Sequence, residues 1–138
     1  MAKTEFKKLV IPSLFEEIQQ LESYLQELQE WAGFDDEDFS RIMLTLSEAV
    51  TNAIVHGNKE DPKKVVTILP SLEGQTLSIS VKDEGMGFNH ADLPDPLKET
   101  NLLKEGGRGV FIICHYTDNV SFAENGTRMI MEFKLKQH

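Results

Sequence analysis

The sequence predicts an α/β two-layer sandwich, with a mixed, mostly antiparallel sheet and helices packed on one face. Three observations carry that expectation. Two helical stripes of apolar residues come early, a strictly alternating strand sits in the middle, and a hairpin signal between two short strands closes the chain. The expected order is β, α, α, β, β, loop, short α, β, β. At 138 residues the chain has room for one core, so a single domain over residues 1–138 is expected.

The elements follow in order. Phe6 to Ile11 is apolar enough for a short strand. Ser13-Leu14-Phe15-Glu16 has the spacing of a capping box, with Ser13 at the N-cap and Glu16 three residues on. Behind it Leu14, Ile18, Leu21, Leu25 and Leu28 recur every three or four residues, an apolar helical stripe that Ala32-Gly33 ends. That stripe is read as packing against the sheet rather than as a dimer seam. Asp35 to Asp38 is an acidic opening that suits the positive end of a second helix. Its stripe is Phe39, Ile42, Met43, Leu46, Val50 and Ala53, and Gly57 is expected to close it as a left-handed residue. Val65 to Leu69 is β-branched and apolar, and Leu72 to Gly74 offers a turn. Leu77, Ile79 and Val81 then alternate with Ser78, Ser80 and Lys82, the period of a half-buried strand. From Asp83 to Gly107 no periodicity survives, and a structureless stretch of about 25 residues inside a small domain points to function. Val110 to His115 follows as a short buried element. Asn119 to Ala123 and Arg128 to Leu135 form the last strands around Glu124-Asn125-Gly126.

Charge and composition exclude several classes. Fourteen Lys and Arg stand against 23 Asp and Glu, a formal net charge of −9. Direct nucleic-acid binding is therefore not expected. No stretch approaches the roughly 20 apolar residues of a membrane span. Cys114 is the only cysteine, so neither an intrachain disulfide nor a cysteine zinc cluster is available, and a cytoplasmic setting is expected.

Four local patterns could carry chemistry. On the second helix Glu48 and Asn52 are four residues apart, and with Thr45 and His56 they fall within roughly an 80° arc. Such a face is either merely solvated or holds a carboxylate base beside an amide oxygen that ligates a hard cation. Asp83-Glu84-Gly85-Met86-Gly87 directly follows the alternating strand. It is either an acidic turn or a fixed acceptor, Asp83, for an exocyclic amine, with glycines that let backbone approach a flat ring. Gly106-Gly107-Arg108-Gly109 enters an apolar segment, either as a plain helix start or as a ring of backbone N–H groups facing an anion. It is neither a P-loop nor a dinucleotide-binding fingerprint. Gly126-Thr127 opens the last strand and alone is an ordinary turn.

Taken in sequence, these patterns resemble the ATP-binding domain of the histidine-kinase and gyrase type, the Bergerat fold, over about Phe6 to Lys136. Within that superfamily the chain is similar to the small anti-sigma factor serine/threonine kinases of bacteria. Three stretches carry the closer likeness: Leu46 to Asn58, Asp92-Leu93-Pro94-Asp95-Pro96, and Gly107 to Ile113. The resemblance implies that Asn52 ligates Mg²⁺ against the ATP phosphates and that Glu48 is the general base. It implies that Asp83 binds the adenine amine, that Gly85 and Gly87 floor the adenine pocket, and that Gly107 and Gly109 bring N–H groups to the phosphates. Thr127 would reinforce the adenine contacts, and Arg108 either neutralises phosphate charge or points to solvent.

The expected function follows from that likeness. The chain would be an ATP-binding anti-sigma factor that uses Mg-ATP to phosphorylate a Ser or Thr of an antagonist protein and that sequesters a sigma factor or similar regulator. Homodimers are common in the family. Lys3 to Lys8 is too short for a helical domain bearing a phosphoacceptor histidine, and the first helix has no histidine, so histidine autophosphorylation is not expected. A non-catalytic, ATP-gated protein-binding module is the alternative, and an interaction domain without nucleotide the third reading.

Overall fold

The computed structural model describes residues 3–85 and 107–136, with backbone alone at Gly107, Arg108 and Val110. Strands β1 (Thr4–Glu5), β2 (Leu9–Pro12), β3 (Val65–Glu73), β4 (Thr76–Lys82), β5 (Asn119–Ala123) and β6 (Arg128–Lys134) form one sheet in the order β1-β3-β4-β6-β5, with β2 also paired to β3. Every described pairing is antiparallel. The expected alternation sets the register. Ile68 lies opposite Val81, Ile79 opposite Met131 and Leu77 opposite Phe133. All six are buried against the helices, while Ser78, Ser80 and Lys82 take the other face. The first strand is split rather than continuous over Phe6 to Ile11. Phe6 donates its N–H to Pro70 O at 3.0 Å between the two pieces, and its ring packs on Tyr24 and Trp31.

Among the described residues the α-helices are α1 (Gln20–Ala32), α2 (Asp36–Asn52) and α3 (Gly107–Tyr116). The α1 stripe buries Leu21, Leu25 and Leu28, and Gly33 ends the helix at φ +79° with its N–H on Gln29 O. The capping box does not form. A 3₁₀ turn, Phe15–Gln19, leads into α1 from Leu14 without a side-chain cap. Ser13 is buried between β2 and β3, and a buried hydroxyl needs a tertiary partner; its Oγ donates to Lys64 O at 2.8 Å. Helix α2 begins as expected, with Asp35 accepting the Asp38 N–H at 2.8 Å. Its stripe buries Ile42, Leu46 and Val50 in the same core as α1.

The end of α2 differs from expectation. Gly57 is not left-handed. The helix widens instead into a π turn over Ala53–Gly57, with the Asn58 N–H on Ala53 O at 2.8 Å. Lys59 and Glu60 take the left-handed conformations, at φ +54° and +58°. Strand β3 runs on past Leu69 to Glu73, and the reversal falls on Gly74, at φ +62°, and Gln75.

One arginine joins α2 to the far end of α3. Arg41 donates through Nη1 to Tyr116 O at 3.0 Å and through Nη2 to Lys134 O at 2.8 Å. Its Nε donates to buried Asp38 at 2.9 Å, and its guanidinium lies over the Phe133 ring. The C-terminal end of α3 is thereby anchored to α2 and β6, while Ile113 of the same helix is buried in the common core.

Candidate functional site

Glu48 and Asn52 lie one turn apart near the end of α2, both half-buried. Above them passes the first turn of α3. A Cβ placed on Gly109 would stand 2.9 Å from Glu48 Oε2, 3.6 Å from Asn52 Oδ1 and 3.7 Å from Asn52 Nδ2. Any larger residue would push the carboxylate aside, so glycine is what lets the α3 backbone close over this pair. Gly107 starts the helix, and with it the run of N–H groups that a helix leaves free at its N-terminus. The structure therefore brings Gly109 over Glu48 and Asn52, with Gly107 two residues earlier in the same helix.

Asp83 follows β4 at the other end of the site. Its N–H donates to Thr127 O at 2.9 Å, extending the β4–β6 ladder by one bond. Its Oδ1 accepts the Gly85 N–H at 2.8 Å, closing a tight turn. A Cβ on Gly57 would overlap the Asp83 carboxyl, and a Cβ on Gly85 would overlap the Gly57 carbonyl. Gly57, Asp83 and Gly85 are thus interlocked, and the glycine expected to cap α2 serves instead to admit Asp83. Burial pushes the Asp83 carboxyl above the usual range, partly offset by the Gly85 N–H and by Lys64.

The remaining expected residues divide. Thr127 stands beside Asp83, but its hydroxyl donates to Glu124 O at 2.7 Å; only its lone pairs are left for a ligand. Thr45 does not share the site, because it is buried and donates back to Arg41 O and Ile42 O. His56 is exposed in the wide turn. Arg108 lies in the first turn of α3, with only its backbone described, and Gly87 lies outside the described residues, as do Asp92 to Pro96. Asn58, adjacent to Gly57, was not expected to matter. It is wholly buried and accepts the Glu84 N–H at 2.7 Å. The signals for it are its place at the end of the Leu46 to Asn58 stretch and its position just after Gly57.

Among the described residues no group of three or more His, Cys, Asp and Glu could hold a metal ion. A hard cation here would depend on Asn52, on the oxygens of its own ligand and on water, which suits Mg²⁺ in a phosphate complex rather than in a protein cage. Among the described residues no helix is long and apolar enough to cross a membrane.

The family model described as a histidine kinase-like ATPase domain matches residues 11–133. The chain is 36% identical over 91 residues to an anti-sigma F factor of Bacillus cytotoxicus, a match covering 64% of this chain and 62% of that protein. It is 36% identical over 104 residues to an anti-sigma F factor of Clostridium perfringens, covering 72% of this chain and 74% of that protein. The match to an Anoxybacillus flavithermus anti-sigma F factor covers 60% of that protein, so the chain spans about three fifths of some of these relatives. In three dimensions it is similar to the RsbU and RsbW domains of Rv1364c from Mycobacterium tuberculosis, with TM-score 0.65 and 17% identity over 96% of this chain and 34% of that one. That likeness bears on the fold alone.

Proposed function

The chain belongs to the histidine kinase-like ATPase domain family, and on that premise we propose that it is an ATP-dependent anti-sigma regulator and a protein serine/threonine kinase. It would transfer the γ-phosphoryl of ATP to a Ser or Thr of an antagonist protein and, loaded with nucleotide, hold a sigma factor or similar regulator. The observation that supports this most is the seat of Gly109, where an added Cβ would crowd Glu48 and touch Asn52. A helix N-terminus closed over a carboxylate and an amide is an arrangement for anionic phosphate beside a proton acceptor. A module that only bound nucleotide would have no use for Glu48 there.

In this reading each residue has a task. Asp83 accepts the amine of adenine, with Gly85 and Gly87 leaving the ring face clear. Gly107 and Gly109 offer N–H groups to the phosphates, and Arg108 adds positive charge. Asn52 would hold Mg²⁺, which when bound supplies charge neutralisation to the phosphates. Glu48 takes the proton from the attacking hydroxyl.

Thermal unfolding with and without Mg-ATP is the first test. Ligand at about 100 times its dissociation constant should add about 2.7 kcal/mol, and no shift at millimolar Mg-ATP would end the nucleotide reading. Phosphate appearing on a Ser or Thr of the antagonist from the same genome then tests the kinase.

Asp83→Asn separates stability from binding. Asn keeps an oxygen for the Gly85 N–H but turns a donor where the adenine amine needs an acceptor. ATP affinity should fall roughly 10- to 100-fold, the weight of a hydrogen bond to a charged group. The free protein should not lose stability at neutral pH. A carboxyl whose folded pKa is raised favours folding most when protonated, and that contribution fades as pH rises through the raised value. The gain of Asn over Asp should therefore be absent in acid, below the ordinary carboxylate value, and present above the raised one. Chemical denaturation across that pH window checks the sign.

A further inference from the structure

Asn58 is wholly buried, and each polar atom of its side chain is engaged. Nδ2 donates to Ser13 Oγ at 2.8 Å and to Val65 O at 3.0 Å, while Oδ1 accepts the Glu84 N–H at 2.7 Å. Ser13 Oγ in turn donates to Lys64 O at 2.8 Å. The Glu84 carboxylate closes the circuit by accepting the Val65 N–H at 2.7 Å. An apolar side chain would have filled this volume without needing a partner. The amide instead links three segments: the end of β2, the start of β3 and the turn after β4.

That last segment is the one that carries Asp83. Glu84 directly follows Asp83, and Gly85 is hydrogen-bonded to its carboxylate. On its other side Asn58 follows Gly57, whose bare Cα admits the Asp83 carboxyl. Asn58 therefore grips the Asp83 turn from the end of the helix that carries Glu48 and Asn52. A satisfied buried network of this kind fixes one geometry, because any displacement strands a polar atom away from water.

We propose that Asn58 is a positioning residue for purine recognition, holding the Asp83 carboxylate at a set place relative to Glu48 and Asn52 without touching the base. This rests on the nucleotide reading above. Selectivity for a 6-amino purine then depends on a residue outside the pocket. A residue that only stabilised the fold would act differently, lowering affinity for every nucleotide alike.

The test uses the whole chain and two ligands, ATP and purine riboside triphosphate, which has the same sugar and phosphates but lacks the amine. Titration calorimetry with Mg²⁺ gives the ratio of the two affinities for the wild type, Asn58→Ala, Asp83→Ala and the double variant. Asn58→Ala should lower the ratio about ten-fold, the effect of one misplaced charged hydrogen bond. Its affinity for purine riboside triphosphate should stay within about two-fold. In the Asp83→Ala background the same change should leave the ratio unaltered. Ser13→Ala removes one partner of the amide, and its milder loosening should lower the ratio about three-fold if Asn58→Ala does not fold. A ratio equal to that of the wild type in these variants, or equal losses for both ligands, would overturn the assignment while leaving the nucleotide reading intact. A wild-type chain that shows no affinity for ATP would overturn that reading, and the assignment with it.

Discussion

Glu48→Gln is expected to slow phosphoryl transfer to the antagonist by about 10²–10⁴-fold, the usual contribution of a positioned general base. Mg-ATP affinity should stay within about three-fold, so the loss falls on kcat and not on KM. The reasoning is geometric. Gln has the shape of Glu and fits the same space beneath Gly109, where Glu48 Oε2 lies 2.9 Å from the place a Cβ would occupy. It can still accept and donate hydrogen bonds, but it cannot take a proton from a hydroxyl. A residual rate should survive, because phosphoryl transfer owes most of its acceleration to positioning and charge neutralisation. Single-turnover transfer by a Gln variant with normal ATP binding separates the two contributions. A rate within about three-fold of the wild type would show that Glu48 is not the base, and would favour a module that binds ATP without using it.

How much of this was legible in the sequence depends on the range of each interaction. Periodicity alone identified both core helices and the central strand. Burial of Leu21, Leu25 and Leu28 on α1, and of Leu77, Ile79 and Val81 on β4, follows directly from spacing. Two of the misreadings share one cause. Ser13 and Gly57 have strong local meanings, a helix cap and a helix stop, and in both cases a contact distant in sequence prevailed. Ser13 turned to Lys64 and Asn58, 51 and 45 residues away. Gly57 turned out to be small for Asp83 rather than flexible for its own backbone. Asn58 had no local signature, because its partners are spread over three segments. The patterned glycines of the site were visible as a set, but which atoms each one made room for is a property of the packed structure.

Arg41→Ala is expected to destabilise the folded chain by about 3 kcal/mol, the lower end of what breaking a buried ion pair costs. The size comes from what would be left behind rather than from the attraction that is lost. The Asp38 side chain is 1% exposed and that of Arg41 22%, so removing the cation leaves a carboxylate with little access to water. Its other described hydrogen bond is from the Lys136 N–H at 3.2 Å, and the Lys136 ammonium, which is solvent-exposed and hydrogen-bonded to Glu37, acts on it only through space, too little to replace a guanidinium. Tyr116 O and Lys134 O lose their donors at the same time, and the Phe133 ring loses its cover. Urea unfolding should show a lower midpoint at an unchanged slope, the sign of altered stability rather than altered compactness. If a stranded charge is the cause, neutralising it should help: Arg41→Ala with Asp38→Asn should recover at least about 1 kcal/mol over Arg41→Ala alone. The consequence reaches the site, because Arg41 hydrogen-bonds the last turn of α3 while the first turn of that helix sits over Glu48 and Asn52. Under conditions where the Arg41→Ala variant is fully folded, ATP affinity should still fall, and Asp38→Asn should not restore it, since the neutral pair no longer grips Tyr116. A double variant that recovered both stability and affinity would show instead that α3 needs no anchor and that only the buried charge matters.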